Sequence, residues 1–308
     1  MAHLYFILGC TACGKGAVGR ELARQLGAEI ISVDSMKVYR EMDIGTAKPS
    51  PAIRAEIPHH CIDVADPVES YSVAQFVEHA DAAVAEIRSR GRIPLAVGGT
   101  SLYIKALSKG LFEGPSADEQ LRVELRERAG REGLDTLHAE LSAVDPAAAE
   151  RIHPNDERRI IRALEVHRLT GTPISQLQTQ WESQGLRYDC VFIGLRREKE
   201  RQSRRINARA KKMMDMGLPD EVADLLERHG ELSPQASQAV GYAEMIRHLR
   251  GEWSLEEAFE RIKINTRRLA KSQRTWQKRW RDVRWFDLAD DETPARTVDR
   301  IRKEIEFA

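Results

Sequence analysis

The sequence predicts an α/β protein in which helices flank a parallel sheet and an all-helical insert interrupts the core. Short apolar runs alternate with helical patterns in the first hundred residues, and a glycine-rich loop follows the first run. Residues 116–185 then show helix signals without strand signals. Strands that alternate with helices build parallel sheets, whose binding sites lie at the carboxyl ends of the strands.

The first elements are a strand, a helix and a second strand. Residues 4–8 are an apolar run that predicts a buried strand. Val18, Leu22 and Leu26 are spaced four apart, as on one face of a helix. Residues 29–33 predict the second strand, which ends just before an aspartate.

A second helix and a third strand follow. Ser72 and Gln75 have the spacing of a capping box, in which each side chain bonds to the backbone of the other residue. Apolar residues recur along the helix that they begin, and residues 90–92 close it. Residues 93–97 predict the third strand, which runs into two glycines and Thr100.

The remaining chain divides into an insert and a return to the core. Asp145 before Pro146 predicts a capped helix start, and Asn155 is placed to cap the next helix. Residues 190–195 predict one more strand, after which the pattern is helical to the end. The predicted domains are residues 1–115 (first part of the core), 116–185 (helical insert) and 186–308 (core completion and basic C-terminal helices).

Composition places the chain among ordinary globular proteins. It has 308 residues, of which 42% are hydrophobic and 31% charged, enough for a sizeable core. No apolar run approaches the roughly 20 residues of a membrane span. The first run is too short for a signal peptide, and four cysteines do not make a disulfide scaffold. We therefore expect a cytoplasmic protein without membrane contact.

The net charge of zero hides two basic stretches. Residues 196–212 contain nine Lys or Arg and two Glu, and residues 261–281 contain nine basic residues and no acidic one. Such stretches in an otherwise acidic chain indicate a surface for a polyanion. The alternative is a pair of solvated helical faces. A membrane surface fits less well, because the second stretch lacks a wide apolar face.

A glycine-rich loop between the first strand and the first helix predicts a phosphate or diphosphate site and a P-loop NTPase-like core. Glycines allow close approach of the backbone, and the helix N-terminus adds positive potential. Gly16 stands where a Ser or Thr usually ligates Mg²⁺. The candidate diphosphate- or nucleotide-binding residues of the loop are Gly9, Cys10, Thr11, Ala12, Cys13, Gly14, Lys15 and Gly16.

Other candidate groups have competing interpretations. Cys10 and Cys13 have redox spacing, but they also suit two small loop positions. The His-His-Cys-Ile-Asp run at 59–63 favours a structural role, because adjacent side chains rarely converge on one metal ion. Asp34 fits a metal ligand, a general base or a turn cap. These residues alone leave a kinase, an ATPase and a transferase of a diphosphate substrate open.

Taken together, the motifs resemble the tRNA dimethylallyltransferases, or tRNA isopentenyltransferases, of the bacterial type. The resemblance runs nearly end to end, and its most specific part is Asp34-Ser-Met-Lys-Val-Tyr with the Met-Asp-Ile-Gly-Thr-Ala-Lys-Pro that follows. The similar blocks are residues 9–15, 31–39, 42–49, 58–67, 71–72, 97–103, 152–166, 205–213, 217–222, 238–242 and 266–276.

The resemblance implies transfer of a dimethylallyl group from dimethylallyl diphosphate to N6 of the adenosine adjacent to the anticodon of tRNA. It implies that Asp34 accepts the N6 proton and that Thr100 orients the acceptor. The loop and Arg209 would hold the diphosphate, with Mg²⁺ as cofactor, although no metal ligand is assigned. Monomer is the implied oligomeric state.

The resemblance also implies an RNA interface, with tRNA in a channel between core and insert. It would account for the two basic stretches, since phosphate contacts dominate the affinity for nucleic acid. The implied tRNA-binding residues are Asp34, Ser35, Met36, Lys37, Thr100, Arg158, Arg159, Ile160, Ile161, Arg162, Gln238, Gly241, Tyr242, Arg267, Lys271 and Arg274.

Four positions depart from the family pattern: Gly16, Ser101, Ala243 and Ser272. The last two stand where a cation is usual, which predicts a shallower salt dependence of RNA binding. The alternatives are an adenylate isopentenyltransferase that acts on free AMP, ADP or ATP, and a weakened homologue that binds tRNA without modifying it, suggested by Gly16. The long insert argues against the first, and a generic P-loop kinase is the remaining possibility.

Overall fold

The core is a six-stranded sheet in which every pair of neighbouring strands is parallel. The computed structural model describes residues 3–111, 114–178, 185–280 and 282–307. The strand order is β3-β2-β4-β1-β5-β6. The strands are β1 (Leu4–Gly9), β2 (Glu29–Val33), β3 (His59–His60), β4 (Pro94–Gly98), β5 (Cys190–Arg196) and β6 (Val283–Asp287).

Fourteen helices are defined within the described ranges. They are α1 (Lys15–Leu26), α2 (Pro51–Glu56), α3 (Val73–Ser89), α4 (Ser101–Lys109), α5 (Glu119–Glu132), α6 (Leu134–Val144), α7 (Pro146–Arg151), α8 (Glu157–Thr170), α9 (Ile174–Leu177), α10 (Lys199–Asp215), α11 (Leu218–His229), α12 (Tyr242–Leu249), α13 (Leu255–Gln277) and α14 (Pro294–Glu304). Along the described chain, none of them is both long and apolar enough to span a bilayer.

The predicted α/β class and the four predicted strands are confirmed. The prediction that the chain is helical from residue 196 to its end is wrong, because β6 lies there. Strand β6 lies at the sheet edge and carries exposed Arg284 and Asp287, so its sequence lacks the apolar run of a buried strand. Strand β3, at the other edge, has two residues and is too short to leave a pattern. The predicted capping box of Ser72 and Gln75 is present in full.

The sheet has an apolar layer on each face. Alternate residues of each strand point to opposite faces, so Phe6 packs in one layer and Ile7 in the other. Helix α3 covers the first face with Phe76, and α1 covers the second with Leu22. Full burial of such side chains contributes about 1.5–3 kcal/mol each.

The chain forms two compact units, and residues 109–185 make up the second. This unit contains α5 to α9 and has its own apolar core. It begins seven residues before the boundary predicted from the sequence, 116. The prediction that Asn155 caps the helix is wrong. Asp156 caps α8, and its Oδ1 accepts a hydrogen bond from Arg159 N at 3.3 Å.

Candidate active site

The loop between β1 and α1 has a conformation that only its glycines permit. A Cβ on Gly9 would lie 2.5 Å from Cys13 Sγ and 2.9 Å from Leu195 O. Gly14 has a φ of 112°, in the left-handed region that other residues rarely adopt. The loop therefore wraps tightly at the carboxyl end of a central strand, where a phosphate can approach the backbone.

Side chains that follow β5 hold successive carbonyls of this loop. Gln202 Nε2 donates to Thr11 O at 2.8 Å, Arg205 Nε to Ala12 O at 3.0 Å, and Arg197 Nε to Cys13 O at 3.4 Å. Two arginines of the first basic stretch, Arg197 and Arg205, thus hold the conformation of the loop. The charge count alone missed this structural use of the arginines.

Gln273 on α13 joins the β1 loop to the end of β4. Its Oε1 accepts a hydrogen bond from Thr11 N at 2.7 Å, and its Nε2 donates to Gly99 O at 3.0 Å. A Cβ on Gly99 would lie 2.7 Å from that nitrogen. Apart from the position of Gln273 in a similar block, no sequence pattern indicates this role, because the partners are more than 170 residues away.

Asp34 and Thr100 lie beyond the carboxyl ends of the neighbouring strands β2 and β4. Asp34 Oδ1 accepts a hydrogen bond from Met36 N at 3.0 Å, so the turn cap that the sequence allowed is present. Thr100 Oγ1 accepts from Ser35 N at 3.1 Å and lies 3.4 Å from Ser35 Oγ. The carboxylate and the hydroxyl are thereby oriented at the same edge of the sheet.

These groups line a cleft of about 1020 Å³ in the first unit. Lys15, Asp34, Thr100 and Arg209 all line it, so the predicted catalytic and diphosphate-binding groups are brought together. Arg209 Nη1 donates to Thr11 Oγ1 at 3.4 Å. Gly9, Cys10 and Cys13 do not line the cleft; they shape the loop beneath it.

A smaller and mostly apolar pocket of about 100 Å³ adjoins the cleft. Asp34 and Arg209 line both spaces, so a charged group and an apolar group can be bound next to each other. The apolar lining comes mainly from α10 and α13. It includes Met36, Ile206, Ala210, Met213, Ile262 and Leu269.

The cleft is strongly cationic. Burial lowers the pKa of Lys37 to about 8, Asp34 opposes this shift, and the nearby charges of Lys15, Arg209 and Arg20 reinforce it. Burial also lowers the pKa of Arg209, again opposed by Asp34. Cations held together at this cost are suited to a multiply charged anion.

The environments of Cys10 and Cys13, and of His59 and His60, favour structural roles over redox or metal chemistry. Burial and the neighbouring Cys13 raise the pKa of the Cys10 thiol to about 11, which disfavours the reactive thiolate. His60 Nε2 lies 2.7 Å from the buried carboxylate of Glu29, which also pairs with Arg90. Among the described residues no group of three or more His, Cys, Asp or Glu could hold a metal ion.

The loop itself does not fit a metal ion ligated in the usual P-loop manner. Position 16 offers no hydroxyl, and a Cβ built there would lie 3.5 Å from Arg20 Nη1. A guanidinium therefore lies beside the place where the metal-ligating hydroxyl would begin. We assign no step of the reaction to Mg²⁺ held by this loop.

The predicted RNA-contacting residues of the insert divide into two groups. Arg158 and Arg159 are exposed. The side chains of Ile160 and Ile161 are buried in the apolar core of that unit, so only the backbone of these residues is left for the predicted contact with RNA. Arg162 is half-buried and bonds to Glu165 Oε2 at 2.7 Å.

The first unit shows the same division. Lys271 and Gln238 are exposed, Arg267 donates to Asn207 Oδ1 at 2.7 Å, and Arg274 donates to Gln202. Arg281, the end of the second basic stretch, lies outside the described residues.

Gly241 and Tyr242 were also predicted to contact RNA, but both are buried. The Tyr242 ring packs against Gly45, and its hydroxyl donates to Glu221 Oε1 at 2.6 Å. The tyrosine therefore has a structural role, which its sequence pattern does not indicate.

Fold and site together define a P-loop-like α/β enzyme with a cationic cleft beside an apolar pocket. The sequence profile described as IPP transferase matches residues 37–280, and the profile described as isopentenyl transferase matches residues 2–57. The chain belongs to the IPP transferase family.

Named relatives cover nearly the whole chain. It is 46% identical over 285 residues to a tRNA dimethylallyltransferase of Geobacter metallireducens, covering 92% of each chain. It is 47% identical to the tRNA dimethylallyltransferase of Symbiobacterium thermophilum, covering 97% of this chain and 93% of that protein.

Solved structures agree with this assignment. A full-length tRNA isopentenylpyrophosphate transferase from Bacillus halodurans has a TM-score of 0.71 and 42% identity, covering 99% of this chain and 97% of that one. A eukaryotic dimethylallyltransferase acting on tRNA has a TM-score of 0.82 and 28% identity, covering 98% and 78%.

Proposed function

We propose that this protein transfers a dimethylallyl group from dimethylallyl diphosphate to N6 of the adenosine adjacent to the anticodon in tRNA. The observation that carries the proposal is the convergence of Lys15, Asp34 and Arg209 on one cleft with an apolar pocket at its side. A substrate with a diphosphate at one end and a five-carbon chain at the other matches both parts of this site.

Lys15, Arg209 and the loop would bind the diphosphate. As the bond between C1 of the prenyl group and the diphosphate oxygen breaks, negative charge accumulates on the leaving group. Cations already in place stabilise that charge without reorganisation. The apolar pocket lined by Met213 and Leu269 would hold the five-carbon chain away from water.

Asp34 would act as the general base. The N6 amine attacks C1, a C–N bond forms, diphosphate leaves, and the N6 proton passes to the Asp34 carboxylate. Asp34 Oδ2 forms no hydrogen bond with any residue in the described ranges, so it is available for this proton. Thr100, held by Ser35, would orient the adenine. Because an exocyclic amine is a weak nucleophile, alignment should supply much of the rate.

Transfer RNA fits the proposal better than a free nucleotide. Exposed cations occur on the insert and, in the other unit, on α13, and binding of a mononucleotide would require neither group. Both relatives reported above are named tRNA dimethylallyltransferases. A cytoplasmic location and a monomeric state belong to the proposal, and light scattering during gel filtration would test the latter.

The test is transfer of radiolabelled dimethylallyl groups to unmodified tRNA and to AMP in parallel, with and without Mg²⁺. We expect label in tRNA alone. Label in AMP would indicate the nucleotide-modifying class instead, and tRNA binding without label would indicate the weakened homologue. The Mg²⁺ series tests the predicted cofactor in the same experiment.

A further inference from the structure

Arg20 occupies the space beside the missing metal ligand. It lies on α1 one turn after Gly16, and its Nη1 is 3.5 Å from the position of a Cβ on that glycine. It also lines the cleft. No residue of the described chain forms a hydrogen bond or salt bridge with it.

The neighbouring arginine on the same helix differs from Arg20. Arg24, one further turn along the same helix, pairs with both Glu21 and Glu56 at 2.6 Å. Glu21 and Glu56 therefore bond to Arg24, and Glu56 acts on Arg20 only through its charge, which opposes the lowering of the Arg20 pKa. Burial and the charge of Arg24 lower the pKa of Arg20, so the structure holds this cation at a cost that an anionic ligand would relieve.

Lys37 is a second cation of the same kind. It follows the general base Asp34 by three residues, lines the cleft and is half-buried. It forms no salt bridge with any described residue, and the charges that act on it are those of Asp34, Lys15, Arg209 and Arg20. Arg20 and Lys37 both line the cleft, and the charge of Arg20 is among those that lower the pKa of Lys37.

The excess of positive charge is a property of the whole cleft. Asp34 and Asp43 are the acidic residues that line it in the described chain, and Asp43 pairs with Lys48 at 2.7 Å. Arg54 pairs with Asp63, which leaves a single carboxylate among the remaining cations of the cleft: Lys15, Arg20, Lys37, Arg205, Arg209 and Lys212. A diphosphate without a metal ion offsets much of this positive charge.

We propose that Arg20 and Lys37 replace the loop-bound metal ion of the usual P-loop, so that this protein binds the diphosphate group without a divalent cation. The inference rests on the proposed function, because it assigns the charge balance of the same diphosphate site. It explains why a glycine is tolerated at position 16. A Ser or Thr hydroxyl there would help to hold a metal ion, and in this protein side chains supply the positive charge instead.

The test is calorimetric titration of the full-length protein with inorganic diphosphate, in EDTA and in Mg²⁺. We expect the wild-type dissociation constant in EDTA to lie within about threefold of that in Mg²⁺. Arg20→Gln and Lys37→Gln should each weaken binding in EDTA by about tenfold or more, the usual effect of losing a charge-assisted contact. Added Mg²⁺ should restore part of this loss. Lys303→Gln, on α14, should stay within twofold of wild type.

Two results would overturn the inference: wild-type binding that requires Mg²⁺, or unchanged binding in EDTA for both cleft variants. If either glutamine variant fails to fold, Arg20→Lys and Lys37→Arg serve instead, since each keeps the charge and should keep metal-free binding. The titration contains no RNA and no prenyl group. A failure of prenyl transfer is therefore distinguishable from a failure of this inference.

Discussion

At the scale of single residues, Asp34 has two roles that a substitution can separate. Asp34→Asn keeps an oxygen that accepts from Met36 N, so the turn should persist, but the amide cannot take up the N6 proton. We expect transfer to fall by about a hundredfold or more, with tRNA affinity and melting temperature nearly unchanged. Single-turnover transfer and filter binding measure the two quantities. Equal loss of both would remove Asp34 from the role of general base.

Gly16 can be replaced without a clash. The one neighbour within 4 Å of a new Cβ is Arg20 Nη1, at an ordinary contact distance of 3.5 Å. Gly16→Ser adds the hydroxyl that usually ligates Mg²⁺, so the activation of transfer by Mg²⁺ should become stronger. A metal titration that coincides with the wild-type curve would show that the missing hydroxyl is irrelevant.

Lys37 should lower the stability of the free protein in a pH-dependent way. Its pKa is about 8 in the folded protein and 10.5 ordinarily, so between these values the unfolded chain binds more protons and stability rises with pH. Lys37→Gln should therefore be more stable than wild type at pH 7, by about 1–2 kcal/mol allowing for its partial exposure. This advantage should shrink as the pH rises from 8 to 10.

Urea unfolding at several pH values measures this difference, and Lys303→Gln is the control that should show no such trend. A difference in unfolding free energy between wild type and Lys37→Gln that stays constant across the pH range would contradict the lowered pKa of Lys37.

Which site residues the sequence could reveal depended on where their partners lie. Lys15 and Asp34 belong to local patterns, a loop after one strand and an acid after the next, and both line the cleft. Gln273 could not be recognised, because its two bonds reach loops far away in the chain. Tyr242 belongs to a similar block, from which RNA contact is predicted, although its ring is fully buried.

At the scale of elements, α13 is the support on which two loops depend. Gln273→Ala would leave Thr11 N and Gly99 O without their partner, which costs about 1–3 kcal/mol for each group that stays buried. We expect a lower melting temperature and a higher KM for the prenyl donor. Ser272→Ala, an exposed neighbour on the same helix, should change neither. Thermal unfolding and steady-state kinetics test both variants, and an unaltered KM for Gln273→Ala would show that the loops position themselves.

Elements were predictable where one face is buried along several residues. Strands β1, β2, β4 and β5 have apolar runs, and α3 has both a stripe and a capping box. Strand β6 gains its place from pairing with β5, which no local pattern records. Edge strands are defined by their neighbour more than by their own residues.

At the scale of the whole molecule, RNA affinity should follow the number of exposed cations. Ser272 is exposed on α13 at a position where the family pattern has a cation. Ser272→Arg should steepen the dependence of log affinity on log salt by about 0.7–0.9, the change expected for one added phosphate contact. Filter binding from 50 to 300 mM salt measures the slope. A parallel line for Ser272→Arg and wild type would place position 272 away from the RNA.

The order of the strands has a consequence for biosynthesis. Strand β1 is the first to be made, but it lies between β4 and β5 and therefore has no partner until residue 98 is complete. Its loop is braced by residues 197, 202, 205 and 273, so the diphosphate site forms only when the chain is nearly finished. A growing polypeptide on the ribosome therefore carries the phosphate-loop sequence for most of its synthesis without the contacts that hold the loop, and its apolar first strand needs protection until β4 has been made.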